Sequence, residues 1–207
     1  MTEAGEERYR SGREERVSWL ILDFEEADPE PFGGPVPRRP VRLVTRPGEL
    51  EALCAELLRR PVVGLDVETT LDARTLCLVQ VAVPAFNAVI DVFEVGSLAP
   101  LASVFACREV MKVIHNASFE RRVLGRCGFP LENVFDTLTA SRRVRGRRLP
   151  SGHSLLAVCR RELGITLAKV HQRSDWRRRP LSSEQLKYAA MDAEVLLDLY
   201  RIFRDPA

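Results

Sequence analysis

The stretch Val62 to Thr70, VVGLDVETT, constrains this chain more than any other. Apolar residues and one Gly run straight into Asp66 and Glu68, which a single residue separates. Side chains alternate along a strand with a period of two, so both carboxylates point to the same face. The apolar half reads as an interior strand, covered on both sides. Two adjacent carboxylates repel and raise each other's pKa unless a cation neutralises them. Oxygen-rich clusters suit hard ions such as Mg²⁺ or Mn²⁺. A solvated pair at a strand end is the simpler alternative, because a lone D-x-E is common.

The rest of the chain shows what surrounds this strand. RPGELEALCAELLRR precedes it as an amphipathic helix with Leu50, Leu53, Cys54, Leu57 and Leu58 on one face. TLCLVQVAV and NAVIDVF follow as two more strands, with Pro84 and Asn87 around the turn. Helix and strand then alternate: LAPLASVFAC, VMKVIH, SFERRVLGRCG ending at Gly128, and NVFDTLTASRRV passing from strand to helix. SLLAVCRRELG is a helix capped near Ser154, and SSEQLKYAAMDAEVLLDLYRIF is a long one opening on a capping box. Hairpin-connected strands followed by βα units predict an α/β fold: a mixed sheet flanked by helices, with its active edge at the carboxyl ends of the parallel strands.

A chain of 207 residues suits one domain with some excess. Residues 1–40 read as an acidic, Pro-rich N-terminal extension, with a short strand expected at 17–24, and residues 41–207 as the folded domain. Met1 to Pro31 holds ten acids against four arginines, a charge of −6. Arg142 to Arg179 holds twelve bases against two acids, a charge of +10. A basic segment beside an acidic site predicts a polyanionic partner, although an arginine-rich solvated surface has the same composition. No run of about 18 apolar residues occurs, which argues against a membrane partner. The charged N-terminus lacks an apolar signal core, and five widely spaced cysteines read as reduced, mostly buried thiols, which together predict a cytoplasmic protein.

Further acids fall at element ends. VIHNASFERRVL places His115 and Asn116 at the close of a strand and Glu120 in the first turn of a helix. A helix N-terminus favours an acid there in any protein. In YAAMDAEVLLDLY, Tyr188 and Asp192 are four apart and share a helix face. Asp192 sits among Ala189, Ala190, Val195 and Leu196, so it needs a partner, and a metal is one candidate.

These motifs in this order, D-x-E, then HNASFE, then Y-x-x-x-D after SDWRRRPL, resemble the ribonuclease D group of 3′–5′ exonucleases. That group lies within the DEDD superfamily, tyrosine subtype, and the resemblance covers about residues 43–204. It implies a ribonuclease H-like mixed β-sheet flanked by α-helices, and two divalent ions, Mg²⁺ or Mn²⁺. It also implies a metal-dependent 3′–5′ exonuclease that releases nucleoside 5′-monophosphates from single-stranded nucleic acid. RNA or short oligoribonucleotides are favoured and DNA is an alternative. By the same resemblance Asp66 bridges the ions, Glu68 and Asp192 hold the ion that activates water, Tyr188 orients that water, and Glu120 serves the second ion.

One departure stands out: the family has Asp where this chain has Glu120. The added methylene extends the carboxylate's reach. Three readings are open: the helix start shifts to compensate, the ion binds directly rather than through water, or the second site is weak. Retained activity is the expected outcome. The alternative is a catalytically weak or inactive nucleic-acid-binding homologue. Thr69, Leu71, His115, Asn116, Phe119 and Lys169 are the expected substrate contacts, with the Arg142–Arg148 cluster holding backbone phosphates. Glu132 and Asp136 are nearby acids, Asp136 more suited to support than to ligation. Ribonuclease D carries further nucleic-acid-binding domains, so here the grip is expected from the arginines, the N-terminal extension or a homo-oligomer.

Overall fold

The computed structural model describes residues 17–22, 24 and 35–205. Most of the acidic extension, residues 1–16 and 25–34, lies outside the described residues. The elements in chain order are β1 (Leu20–Leu22), β2 (Val41–Val44), α1 (Pro47–Leu57), β3 (Val62–Thr69), β4 (Leu76–Val83), β5 (Phe86–Asp91) and α2 (Val92–Val95). They continue with α3 (Leu101–Ala106), β6 (Met111–Ile114), α4 (Ala117–Arg126), β7 (Val134–Asp136), α5 (Thr137–Arg145), α6 (Leu155–Glu162) and α7 (Ser183–Arg204). The seven strands form one mixed sheet in the order β1-β2-β5-β4-β3-β6-β7. β3, β4 and β5 are an antiparallel meander, whereas β6 and β7 run parallel to β3. This is the α/β architecture that the alternating pattern predicts.

Strand periodicity sorts β3 onto two helical layers. Val63, Leu65 and Val67 face a core built with Leu50, Leu53 and Leu57 of α1, Phe105 of α3 and Leu124 of α4. Gly64, Asp66 and Glu68 face the other way, toward α7, which packs across β3, β4, β5 and β6. Gly64 permits this approach: a Cβ there would lie 2.4 Å from the Ala193 carbonyl oxygen. Ala189, Ala190 and Ala193 are fully buried on the helix side of the same contact. A third cluster, Val158, Cys159, Val195, Leu199 and Phe203 among others, joins α6 to the distal half of α7. Full burial of each such aliphatic side chain contributes about 1.5–3 kcal/mol.

Several boundaries differ from the pattern reading. β2 is a strand that the sequence alone does not announce, since VRLV is short and carries a charge. Its Arg42 guanidinium lies 3.6 Å from the Phe86 ring centroid and donates to Glu56 at 2.8 Å. Leu58 caps α1 and is 40% exposed, outside the apolar face assigned to it. The strand expected to reach Phe93 stops at Asp91, whose carboxylate accepts from the Phe93 and Glu94 amides and starts α2. Helix α7 opens on the Ser182–Gln185 capping box. Near the end of α7, Asp198 pairs with Arg38 and Arg201. All five cysteines are free; Cys54, Cys77 and Cys159 are buried, and Cys127 is exposed.

Segment 35–40 is tied to α7 through one buried carboxylate. Glu194 is fully buried and accepts from the Arg38 and Arg39 backbone amides, the Arg38 side chain and Asn87 Nδ2 at 2.7 Å. Arg39 completes this ion pair at 3.1 Å. Among the described residues, no helix is long and apolar enough to cross a membrane.

Candidate active site

The carboxyl ends of β3 and β6 open onto a cleft of about 1080 Å³. Asp66, Glu68 and Asp192 bring ligand oxygens within 4.8 Å of one another in it. Two forces of local structure place them. The β3 pleat puts Asp66 and Glu68 on the α7 face, and the turn of α7 puts Tyr188 one turn before Asp192 on the face toward β3. A register irregularity between Glu68 and Thr69 leaves Cys77 as an extra residue in β4. Such bulges sharpen local twist, here where the strand meets the cleft.

Glu120 lines the same cleft from the first turn of α4. It is 3% exposed, and its Oε2 has no hydrogen-bond partner among the described residues. Its helix is anchored by Asp136, which accepts from the Asn116 amide at 3.0 Å and the Ala117 amide at 3.3 Å. Asn116 turns the chain at φ 68°. Asp136 also caps α5 through the Leu138 amide, so its oxygens are spent on backbone. Glu132 pairs with Arg108 at 3.7 Å. Neither Glu132 nor Asp136 lines the cleft.

Burial dominates the electrostatics. It raises the Asp66 carboxyl to about 7, against a smaller opposing effect of the Val67 amide. It raises Glu68 well above the carboxylate range, helped by Asp66 and Asp192. Asp192 is raised likewise, by burial and Asp66, and the Tyr188 hydroxyl offsets part of this. Burial and the nearby Asp66 lift Glu120 to about 9. Burial, and for Glu68, Asp192 and Glu120 the charge of neighbouring carboxylates as well, penalises the ionised forms, and a divalent cation offsets both. The all-oxygen donor set and the orphaned Glu120 oxygen fit a hard ion of the Mg²⁺ or Mn²⁺ kind.

The expected substrate residues are gathered unevenly. Thr69, Leu71, His115, Asn116 and Phe119 line the cleft; Leu71 is 71% exposed at its mouth. Lys169 is exposed and lies outside the cleft wall. His115 is held on both ring nitrogens, by the Thr137 hydroxyl and the His153 carbonyl, each at 2.9 Å. Burial pushes its imidazole down to about 4, so it stays neutral and acts as a strut for the 146–153 loop. His153 extends the strut to Ser141 and the Gly146 carbonyl.

That loop carries Arg147 and Arg148 to the cleft, where Arg142 and Arg173 join them. The remaining arginines do other work. Arg145 pairs with Glu162 at 2.7 Å, and Arg179 donates to Asp91 and the Trp176 carbonyl. Tyr188 is braced by Trp176 and His171, each ring centroid 6.0 Å away. Arg173 and His153 line the cleft as well, and neither carries a sequence signal that sets it apart from its neighbours.

A mixed sheet with acids from three elements around one cleft is the framework of a nuclease-type α/β fold. Residues 41–206 match the family described as 3′–5′ exonuclease, and the chain belongs to it. It is 33% identical over 165 residues to ribonuclease D of Nitrobacter hamburgensis, covering 76% of this chain and 42% of that protein. The catalytic core of RRP6 from Trypanosoma brucei superimposes with a TM-score of 0.74 at 29% identity, covering 81% of this chain and 46% of that one. Brucella melitensis NrnC with bound Mg²⁺ superimposes with a TM-score of 0.62 at 28% identity, covering 72% and 74%. The chain spans between 27% and 42% of the length of the first curated relatives it matches.

Proposed function

We propose that this protein is a metal-dependent 3′–5′ exonuclease acting on single-stranded nucleic acid, with RNA or short oligoribonucleotides favoured over DNA. The observation that carries the reading is the convergence of Asp66, Glu68 and Asp192 within 4.8 Å, from a strand and a distant helix, in a family of 3′–5′ exonucleases. Asp66, Glu68, Glu120 and Asp192 would hold two divalent ions, Mg²⁺ or Mn²⁺, consistent with the Mg²⁺ named for the Brucella relative. A bound ion pair supplies Lewis-acid charge at the reacting phosphate and a water of lowered pKa.

The chain's own groups do the rest. Tyr188, braced by two rings, orients the attacking water through its hydroxyl. Attack at the terminal phosphorus forms one P–O bond and breaks the bond to the 3′ oxygen. A nucleoside 5′-monophosphate leaves, and the shortened strand keeps a 3′ hydroxyl. Thr69, Leu71, Asn116 and Phe119 meet the terminal nucleotide. Arg142, Arg147, Arg148 and Arg173 hold upstream phosphates, in place of the Lys169 contact, which would make binding salt-dependent. The activity is assigned to the cytoplasm, where free thiols stay reduced. A homo-oligomer would extend the grip on longer strands.

The test uses 5′-labelled single-stranded RNA and DNA with Mg²⁺ or Mn²⁺. A ladder of products shortened from the 3′ end is expected; no shortening with either ion overturns the reading. Glu120→Asp separates an adapted site from a handicapped one. The cleft wall is packed around Glu, so the shorter acid withdraws its carboxylate by about a bond length. Misplacement on this scale costs up to about 10²-fold, and a rate at least about tenfold lower is expected. A rate increase would instead favour the weak-homologue alternative.

Stability should report the same acids. Native Asp66 and Glu120 titrate near 7 and 9, above the ordinary carboxylate range of the unfolded chain. Between those ranges the native state binds more protons, so stability falls as pH rises. With a chelator present, the melting temperature should drop by several degrees from about pH 5 to about pH 9. Mn²⁺ should restore it, and more strongly at higher pH, because the ion displaces protons. A flat melting profile in chelator would contradict the burial of these charges.

A further inference from the structure

Beneath the acids lies a polar group that the proposed reaction does not use. Gln80 stands in the middle of β4 between Val79 and Val81 and is fully buried. Among the described residues, neither its Oε1 nor its Nε2 has a hydrogen-bond partner. An unmade hydrogen bond on a buried amide costs about 1–3 kcal/mol. A methionine of similar shape would fill the position without that cost, so packing alone does not call for the amide.

Its position indicates what it is for. The β3–β4 register sets Gln80 directly opposite Asp66. Directly opposed residues share a face and hold their Cβ atoms about 4.5–5.5 Å apart. That face is the one covered by α7, since Gly64, two residues before Asp66, meets Ala193 there. The other β3 acid, Glu68, is opposite Leu78, and the β5 residue paired with Gln80 is Val89. The amide is therefore the one polar side chain that the ladder sets across from the first acid.

We propose that Gln80 is a positioning residue for Asp66: its Nε2–H donates to the Asp66 carboxylate when that carboxylate holds a divalent ion. The inference rests on the reading of the acids as an ion site. An ionised carboxylate offers about four lone-pair directions, so bound ions would leave room for a donor. A donor behind it fixes the plane of the carboxylate, and partners of this kind typically change metal affinity by 10- to 100-fold. A purely structural Gln80 makes the opposite forecast: an apolar replacement leaves ion binding alone.

The decisive comparison is wild type against Gln80→Met, with Mn²⁺ affinity read by titration calorimetry or electron paramagnetic resonance. The melting temperature in chelator is read alongside. The expected result is an affinity about 10- to 100-fold weaker with an unchanged or raised melting temperature. Affinity within about twofold of wild type in a folded variant overturns the inference while leaving the ion site intact. Failure of wild type itself to bind Mn²⁺ overturns the ion site and this inference together. Should the variant unfold or lose stability, the Gln80 side-chain amide of ¹⁵N-labelled wild type decides. It should shift and exchange more slowly as Mg²⁺ is added, and an unmoved resonance overturns the inference.

Discussion

Asp66→Asn should lower the exonuclease rate by at least about 10³-fold while raising the melting temperature of the metal-free protein. The two effects have opposite signs for one physical reason. Asp66 adjoins Glu68 and Asp192 and contributes to the unfavourable charge felt by both, and by Glu120. Asn keeps the shape, so Val63, Leu65 and Val67 go on packing the opposite face of β3. Removing one carboxylate relieves the repulsion, and each 1 kcal/mol so gained is worth about 2–4 °C in a domain of this size. On the proposed reading, the same change removes a charge from the cluster that would hold the ions. Loss of a single preorganised group costs about 10²–10³, and loss of a residue proposed to hold both ions should cost no less. Labelled-strand assays with Mn²⁺ and thermal melts in chelator check both halves. A variant keeping more than a tenth of wild-type rate would remove Asp66 from the reaction.

Gly64→Ala should unfold the domain more readily and disable it at the same time. The added Cβ would meet the Ala193 carbonyl oxygen at 2.4 Å, with the Ala82 Cβ at 3.4 Å on its other side. Backbone cannot swing aside as a flexible side chain can, so α7 must lift from β3. Overpacking of this kind costs about 1–3 kcal/mol and occasionally more. α7 carries Tyr188 and Asp192, so lifting it separates them from Asp66 and Glu68, and a shift near 1 Å can cost about 10²-fold in rate. Gly48→Ala is the matched control, since nothing lies within 4 Å of a Cβ in that helical position. It should be neutral or slightly stabilising. Equal melting temperatures for the two variants would contradict the close approach of α7 to the sheet.

Much of the site is readable in the sequence because its parts are periodic. D-x-E on a strand and Y-x-x-x-D on a helix each carry their own face assignment, two residues and four residues being the repeats of those elements. The order of the motifs then points to one family. The arginines show where this kind of reading stops. Arg142, Arg145, Arg147 and Arg148 look alike in the sequence, yet Arg145 is bound to Glu162 while the other three face the cleft. Arg179 looks like its solvated neighbours, yet it joins the 176–180 segment to Asp91. β2 was hidden for the same reason: four residues with a central arginine become a strand because β5, Phe86 and Glu56 receive them.

By itself the sequence determined which face each acid occupies, since backbone geometry sets that over a few residues whatever the rest of the chain does. It also determined the alternation of strand and helix that calls for an α/β sheet. Only the tertiary structure decided that Asp192 arrives within 4.8 Å of Asp66 and Glu68, carried there by a helix whose alanines and Gly64 let it lie close to the sheet. It also decided that Glu120 is buried without a partner on one oxygen, that His115 is a strut, and that Gln80 faces Asp66 across the ladder. Desolvation and cross-strand register are properties of neighbours far apart in the chain. They come into being only when the layers close, and they turn four ordinary carboxyls into a site that favours a cation.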